Sequence, residues 1–344
     1  MADNQTNGIN LNMISFELPK WLVKWYLFVG ILSIFLNSFG LYLIIWKGSQ
    51  MDKYRFYLIF FQLLQFCSLA VDIQMNFLMQ PIGLFPITGG YANGILAIYF
   101  NFSPHILQTI TNFMTALQNN ALALCFIRKH QTIAKVDMKY VIPNWFYNLI
   151  ILSMLALSFS VLFLFYSAGI SKEEQLEYIS QSFPNLLKKF NELPNFSIYK
   201  MSKDMQTASM FISLNSLFSI ILVIYSTYHM SKRLKMIRVK LTVTSFEKHK
   251  AAIRSLFWQF IVSFLCIIPP IILSIAVVLQ YERAQLLAHI LNAIFASHSS
   301  INVIVMIWTF PTFRKFVLRN KIRNNRTIPS SISGMKTTVS HENR

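Results

Sequence analysis

The residues able to do chemistry in this chain are few, and they stand in apolar surroundings. Asp72 is the one acid inside a long apolar stretch, and Asn76 and Gln80 follow it at i+4 and i+8, on one helical face. A charge buried in hydrocarbon costs at least about 3 kcal/mol on insertion scales, so Asp72 must face other helices or a cavity. Further on, Gln108, Asn112, Thr115 and Asn119 recur at spacings of 4, 3 and 4, and His289, Asn292, Ala296, Ser299 and Val303 share another face. Such groups either orient a ligand through hydrogen bonds or tie helices together. No acid, base and nucleophile converge, so no catalysis is expected, and no cofactor is implied. GxGxxG, Walker and HExxH patterns are missing from the sequence. Cys67, Cys125 and Cys266 all lie within apolar stretches at spacings unlike a zinc site, and are expected to be buried apolar residues rather than metal ligands or a loop disulfide.

The elements that must position these residues follow from composition. Of 344 residues 54% are apolar and only 13% charged, about half the usual charged share. That excludes most soluble enzymes. Seven apolar runs reach the length of about 20 residues that a bilayer core requires: Trp25–Trp46, Phe56–Met79, Gly94–Ile127, Val141–Ala168, Met205–Met230, Ser255–Gln280 and Gln285–Phe310. The fold class expected is therefore an all-α integral membrane protein, a bundle of seven transmembrane helices. Residues 1–24 form an outer tail, 25–310 the membrane domain, and 311–344 an inner tail. The polar first 20 residues carry no apolar core and do not read as a cleaved signal peptide.

The net charge of +18 could suggest nucleic acid, but its placement argues otherwise. The loops alternate so that one side of the membrane carries 23 Lys and Arg and the other 8. The richer side should be cytoplasmic, which puts the N-terminus outside and the C-terminus inside. The positive charge then reads as a topology signal with attraction to inner-leaflet lipid, and no nucleic-acid partner is expected. Arg128, Lys129, Lys232, Arg233, Arg254 and Arg314 fall on that inner side, where they are compatible with a G-protein docking surface. After Pro311, the alternation of Phe313, Phe316 and Val317 with Arg314, Lys315 and Arg319 suits a short amphipathic helix on the membrane surface. The sequons at Asn4 and Asn195 fall on the outer side, as glycosylation acceptors.

Counting eighteen residues from Tyr54 at 1.5 Å each places Asp72 about 27 Å along its helix, near the outer end. Asp72 and Asn76, His105 and Gln108, and His289 and Asn292 are thus expected to bound one outer ligand cavity, with Phe, Leu and Ile supplying apolar contact. Helix packing is the alternative role for each of them. Pro269-Pro270 falls inside the sixth run, where proline removes backbone donors and kinks a helix.

Several motifs together resemble the nematode serpentine chemoreceptors, class I of the Str-related group, over nearly the whole chain. They are Met51-Asp52-Lys53-Tyr54-Arg55-Phe56-Tyr57-Leu58, then Asp72, then Met79-Gln80-Pro81 and Leu84-Phe85-Pro86 with Gly90-Tyr91 and Gly94. Phe126-Ile127-Arg128-Lys129-His130-Gln131 and Pro311-Thr312-Phe313-Arg314-Lys315 complete the set. The resemblance implies a G-protein-coupled receptor of chemosensory neurons, in the ciliary plasma membrane, detecting small environmental molecules and signalling through a heterotrimeric G protein. The rival readings are a ligand-gated channel subunit, which the charge asymmetry opposes, and a small-molecule transporter, which would usually show related halves. Compared with rhodopsin-like receptors the chain lacks Asp-Arg-Tyr after the third span and Asn-Pro-x-x-Tyr in the seventh, and Asp72 lies by residue count too far out to match their sodium-site acid.

Overall fold

The computed structural model describes residues 14–47, 66–137, 141–193, 195–279, 281, 283–309 and 313–318. Helix α1 (Lys20–Tyr42) continues as a π-helical turn, Leu43–Lys47. Helix α2 (Phe66–Met79) ends in a second π-helical turn, Gln74–Met79. Then follow strands β1 (Pro81–Gly83) and β2 (Gly89–Ala92), helices α3 (Ile95–Phe100), α4 (Pro104–Asp137), α5 (Asn144–Ser167), α6 (Lys172–Ser182) and α7 (Leu187–Asn191), and strand β3 (Phe196–Ile198). Helices α8 (Lys203–Met236), α9 (Val243–Val278) and α10 (Ala284–Thr309), and a short helix α11 at 313–318, complete the chain.

The bundle is built from α1, α2, α4, α5, α8, α9 and α10. Four of these segments, Lys20–Ile45, Asn144–Ser167, Lys203–Lys240 and Ala284–Thr309, are each long and apolar enough to cross a membrane. Their packing is inverted relative to a water-soluble bundle. On α1 the buried stripe is Leu22, Tyr26, Gly30, Ser33, Asn37 and Gly40, at spacings of three and four, while Ile31 and Phe35 stand 66% and 71% exposed. The small and polar residues face protein and the large apolar ones face outward, as hydrocarbon solvent demands. On α5 the same period selects Tyr147, Met154, Ser158, Val161 and Phe165 for the interior. Helix α10 packs between α1 and α9, and α4 against both α5 and α8.

Two segments depart from the expected runs. The third run is broken: Asn101 takes the left-handed conformation (φ 52°), Phe102 N–H returns 3.1 Å to the Leu96 carbonyl, and Pro104 opens a new helix. The basic segment 231–254 is mostly helical, because α8 and α9 extend through it and leave only 237–242 between them. Pro269 and Pro270 lie within α9, as the sixth run implied.

The largest departure lies between α5 and α8, where α6, α7 and β3 fold over one end of the bundle. Ser171 and Glu174 form a capping box at the start of α6, at 3.2 and 2.9 Å. Strand β3 joins β2, which pairs with β1, in an antiparallel sheet of order β1-β2-β3 with Gly90 opposite both Gly83 and Ser197. An apolar core of Ile82, Leu84, Tyr91, Ile179, Phe190 and Phe196 fuses this lid to Leu22 and Tyr26 of α1 and to Ala293 and Ala296 of α10. Burial pushes the Tyr91 phenol up to about 12. Below, we call this the lid end, and the end carrying α11 the tail end.

Candidate functional site

The interior of the bundle is tied by polar side chains at mid-depth. The Ser33 hydroxyl donates to Asp72 Oδ2. Asn37 Nδ2 donates to Ser33 Oγ at 2.8 Å and to Ser299 Oγ at 3.0 Å, and Ser299 in turn lies 3.2 Å from Asn37 Oδ1. This seam joins α1, α2 and α10. Ser33 lies 13 residues into α1 and Ser299 15 into α10, about 20 Å from the lid end. Asp72, 1% exposed, therefore sits in mid-bundle rather than at the outer helix end where residue counting placed it. Its Oδ1 has no hydrogen-bond partner among the described residues.

Two further knots hold the interior. Gln118 Nε2 lies 3.2 Å from His298 Nε2, while His298 Nδ1 is 2.7 Å from the Phe295 carbonyl. A carbonyl only accepts, so Nδ1 carries the proton and Nε2 accepts from Gln118. Asn120 donates to the Met154 carbonyl (3.0 Å) and to Ser158 Oγ (2.9 Å), and accepts from Ser219 at 3.3 Å, fastening α4 to α5 and α8.

Among the described residues, the six expected ligand residues make separate contacts. Asn76, fully buried, donates to the Ala296 carbonyl at 3.4 Å. His289 reaches the Gly83 carbonyl beneath β1 and lies edge-on to Trp21 at 6.4 Å. His105 instead contacts α5: Nε2 is 3.1 Å from the Tyr166 carbonyl, and its ring lies among Phe165, Tyr166 and Tyr199. Gln108 bonds to Asn112 of its own helix at 3.0 Å, and Asn292 is half-buried on α10. Residues 15 and 16 pack onto the lid end above. Gln285 grips the backbone of Ser15 through both amide atoms, at 2.9 and 2.7 Å, and Phe16 stacks edge-on against Phe190.

At the tail end, the Arg128 guanidinium lies 5.5 Å over the Tyr147 ring, and Lys129 is wholly buried. Lys232, Arg254 and Arg314 are exposed and Arg233 half-buried. His130 of α4 and His229 of α8 meet at 2.6 Å, and Ser255 and Thr309 join α9 to α10, also at 2.6 Å. Asn195 Nδ2 donates to the Ala97 carbonyl at 2.8 Å, and its sequon partner Ser197 is buried in β3; Asn4 lies outside the described residues. Among the described residues no group of three or more His, Cys, Asp or Glu could hold a metal ion.

Sequence reasoning passed over Ser33, Asn37, Gln118, Asn120 and His298. On α1 the signal existed, since Ser33 and Asn37 continue the small-residue stripe. On α4 it did not: helices surround α4 on several sides, so its polar residues fall on every face and periodicity cannot rank them.

Comparison with known proteins agrees with this architecture. The crystal structure of squid rhodopsin superposes with a TM-score of 0.52 over 90% of this chain and 88% of that one, at 11% sequence identity, a likeness of fold alone. No curated protein matches the chain. The model of the family described as "Serpentine type 7TM GPCR chemoreceptor Sri" matches residues 12–317. That match spans most of the chain, and the chain belongs to the Sri family of serpentine seven-transmembrane G-protein-coupled chemoreceptors.

Proposed function

We propose that this chemosensory receptor lies in the plasma membrane, of the sensory cilium in particular, with its lid end outside and its tail end in the cytoplasm. In this reading it belongs to the Str-related group of serpentine receptors. A small environmental molecule binds in the outer half, and a heterotrimeric G protein docks on the inner face around Arg128, Lys232, Arg233, Arg254 and Arg314; Lys129, expected on that surface, is wholly buried and takes no part in it. The observation that supports the reading is the charge asymmetry of the sequence: 23 of the 31 basic residues fall in the segments between apolar runs that alternation assigns to one side. Inner-leaflet lipid holds α11, whose Phe313 is buried while Arg314 and Lys315 are exposed.

The test is a cell line expressing the receptor, read for cAMP or calcium against a chemical panel, with epitope tags on both ends. Agonist responses that need the co-expressed G protein, and a C-terminal tag stained only after permeabilisation, are expected. A C-terminal tag visible on intact cells would overturn the orientation. Glycans give an independent check on the same point: with Asn4 and Asn195 both outside, changing both to Gln removes the glycosidase-sensitive band shift. A shift that survives the double change and disappears on Asn325→Gln, in the tail sequon Asn325-Arg326-Thr327, would place the tail outside.

A further inference from the structure

At the lid end the Ser15 strap and an apolar core that includes residues of the three-stranded sheet join α1 and α10. A cavity of about 90 Å³ opens on the side of the bundle. Its walls are Leu27 of α1, Phe77 and Gln80 at the end of α2, Asn93 and Gly94, and the α3 residues Ile95, Ile98 and Tyr99. Leu27, Ile95, Ile98 and Tyr99 are between 43% and 77% exposed, on the same outer surface as the apolar face of α1. No charged residue lines the cavity.

Its floor is unusual in three ways. The end of α2 is a π-helical turn, a feature that often marks functional sites. Gln80 takes a left-handed conformation (φ 45°) that side chains rarely adopt and that costs free energy unless the surroundings enforce it. Finally, an amide chain leads inward from the floor. Asn93 Nδ2 donates to Gln80 Oε1 at 3.3 Å, Gln80 Nε2 donates to the Asn76 carbonyl at 2.9 Å, and Asn76 donates to Ala296 of α10. Asn76 Oδ1 has no partner among the described residues although the residue is fully buried. One turn below Asn76 stands Asp72 and the three-helix seam.

We propose that this lateral cavity is the ligand-entry and recognition site, taking an uncharged, membrane-partitioning small molecule with one hydrogen-bonding head group, such as a short-chain alcohol or ketone. The inference rests on the receptor reading and names its ligand class. An apolar wall without charge rejects ions, since nothing repays their desolvation. Asn93 spends one amide hydrogen on Gln80, which leaves a second hydrogen and Oδ1 for a head group. The volume is smaller than the roughly 150 Å³ that admits benzene in an engineered cavity. It accommodates a head group and its first carbons while the remaining chain lies along Ile98 and Tyr99 in the lipid. Displacing Asn93 from Gln80 shifts the Gln80–Asn76 pair, and so reaches the contact between α2 and α10.

The test uses the full-length receptor in lipid nanodiscs and a short-chain aliphatic alcohol bearing a diazirine, with the carboxylate of the same chain as comparator. Photolabelling should concentrate on peptides containing Leu27 and residues 77–99, and excess unlabelled alcohol should reduce it about tenfold. Ile98→Trp and Leu27→Trp, at positions exposed enough to accept the larger ring, should each block labelling, and Gln80→Ala should weaken it. Label spread evenly over outward residues such as Phe35 and Leu152, unchanged by either Trp, would sink the site; equal labelling by the carboxylate would sink the ligand class. Labelling needs no G protein, so a receptor silent in the signalling assay and still labelled here fails the functional reading while keeping the site.

Discussion

Asp72→Leu should abolish delivery of the receptor to the cell surface, while Asp72→Asn should preserve it. Asp72 Oδ2 accepts the Ser33 hydroxyl and lies 3.5 Å from Asn37 Nδ2. Leucine removes the acceptor and leaves Ser33, Asn37 and Ser299 to satisfy one another at the junction of three helices. Interhelical hydrogen bonds in membranes average about 0.6 kcal/mol each and reach about 1.7. Both contacts to Asp72 fail together here, and the α1–α2–α10 junction loses its link to α2. Asparagine keeps a carbonyl oxygen in the same place and removes any cost of a buried charge, so it restores the seam. Surface labelling of live cells and thermal melting of detergent-extracted receptor measure both variants. Because Asp72 sits in mid-bundle, half-maximal activation by any agonist found should be unchanged in Asp72→Asn. A tenfold shift with normal surface expression, about 1.4 kcal/mol, would show that a ligand touches the carboxylate and would return it to the binding site.

The membrane domain was legible because hydrocarbon solvent imposes a simple pattern. Runs of apolar residues marked the spans, and the balance of Lys and Arg supplies the direction proposed for them. Depth within a span was harder to read. Counting from Tyr54 put Asp72 at a helix end, but depth depends on where partner residues stand on neighbouring helices, and Ser33 and Ser299 lie near the middle of theirs. The lid was not legible. Its strands have three or four residues each, too short for a period-two pattern, and β2 pairs with β3 across more than a hundred residues of chain. Its apolar residues, Ile82, Leu84, Phe190 and Phe196 among them, lie between recognised spans, where ordinary loop residues are expected. The six candidate ligand residues were chosen as polar groups in the outer halves of spans, a rule blind to lateral neighbours. The partners of His105 on α5 and of His289 beneath β1 follow from the three-dimensional arrangement alone.

The same blindness hides the role of Gly94, and adding a single methyl group there should be strongly destabilising. A Cβ at Gly94 would meet the carbonyl group of Leu78 and would lie 2.6 Å from the Met79 carbonyl carbon. These are backbone atoms at the π-helical end of α2 and cannot swing aside. Gly94 N–H also donates to the Met79 carbonyl at 2.9 Å, and Asn93 N–H to Gln80 at 3.1 Å, so this close approach closes the end of α2. Forcing in a methyl group must break those bonds, and over-packing of this kind costs about 1–3 kcal/mol. Gly94→Ala should therefore lower the melting temperature of purified receptor and cut its surface expression. Gly169→Ala is the control, because the Cβ there meets the imidazole of His105, a side chain that can rotate at the loss of its contact with Tyr166. It should be the milder change. Equal stability of Gly94→Ala and the unaltered receptor would mean that α2 and the segment before α3 do not approach this closely. The Gln80–Asn93 floor of the lateral cavity would then have no fixed geometry from which to recognise a head group.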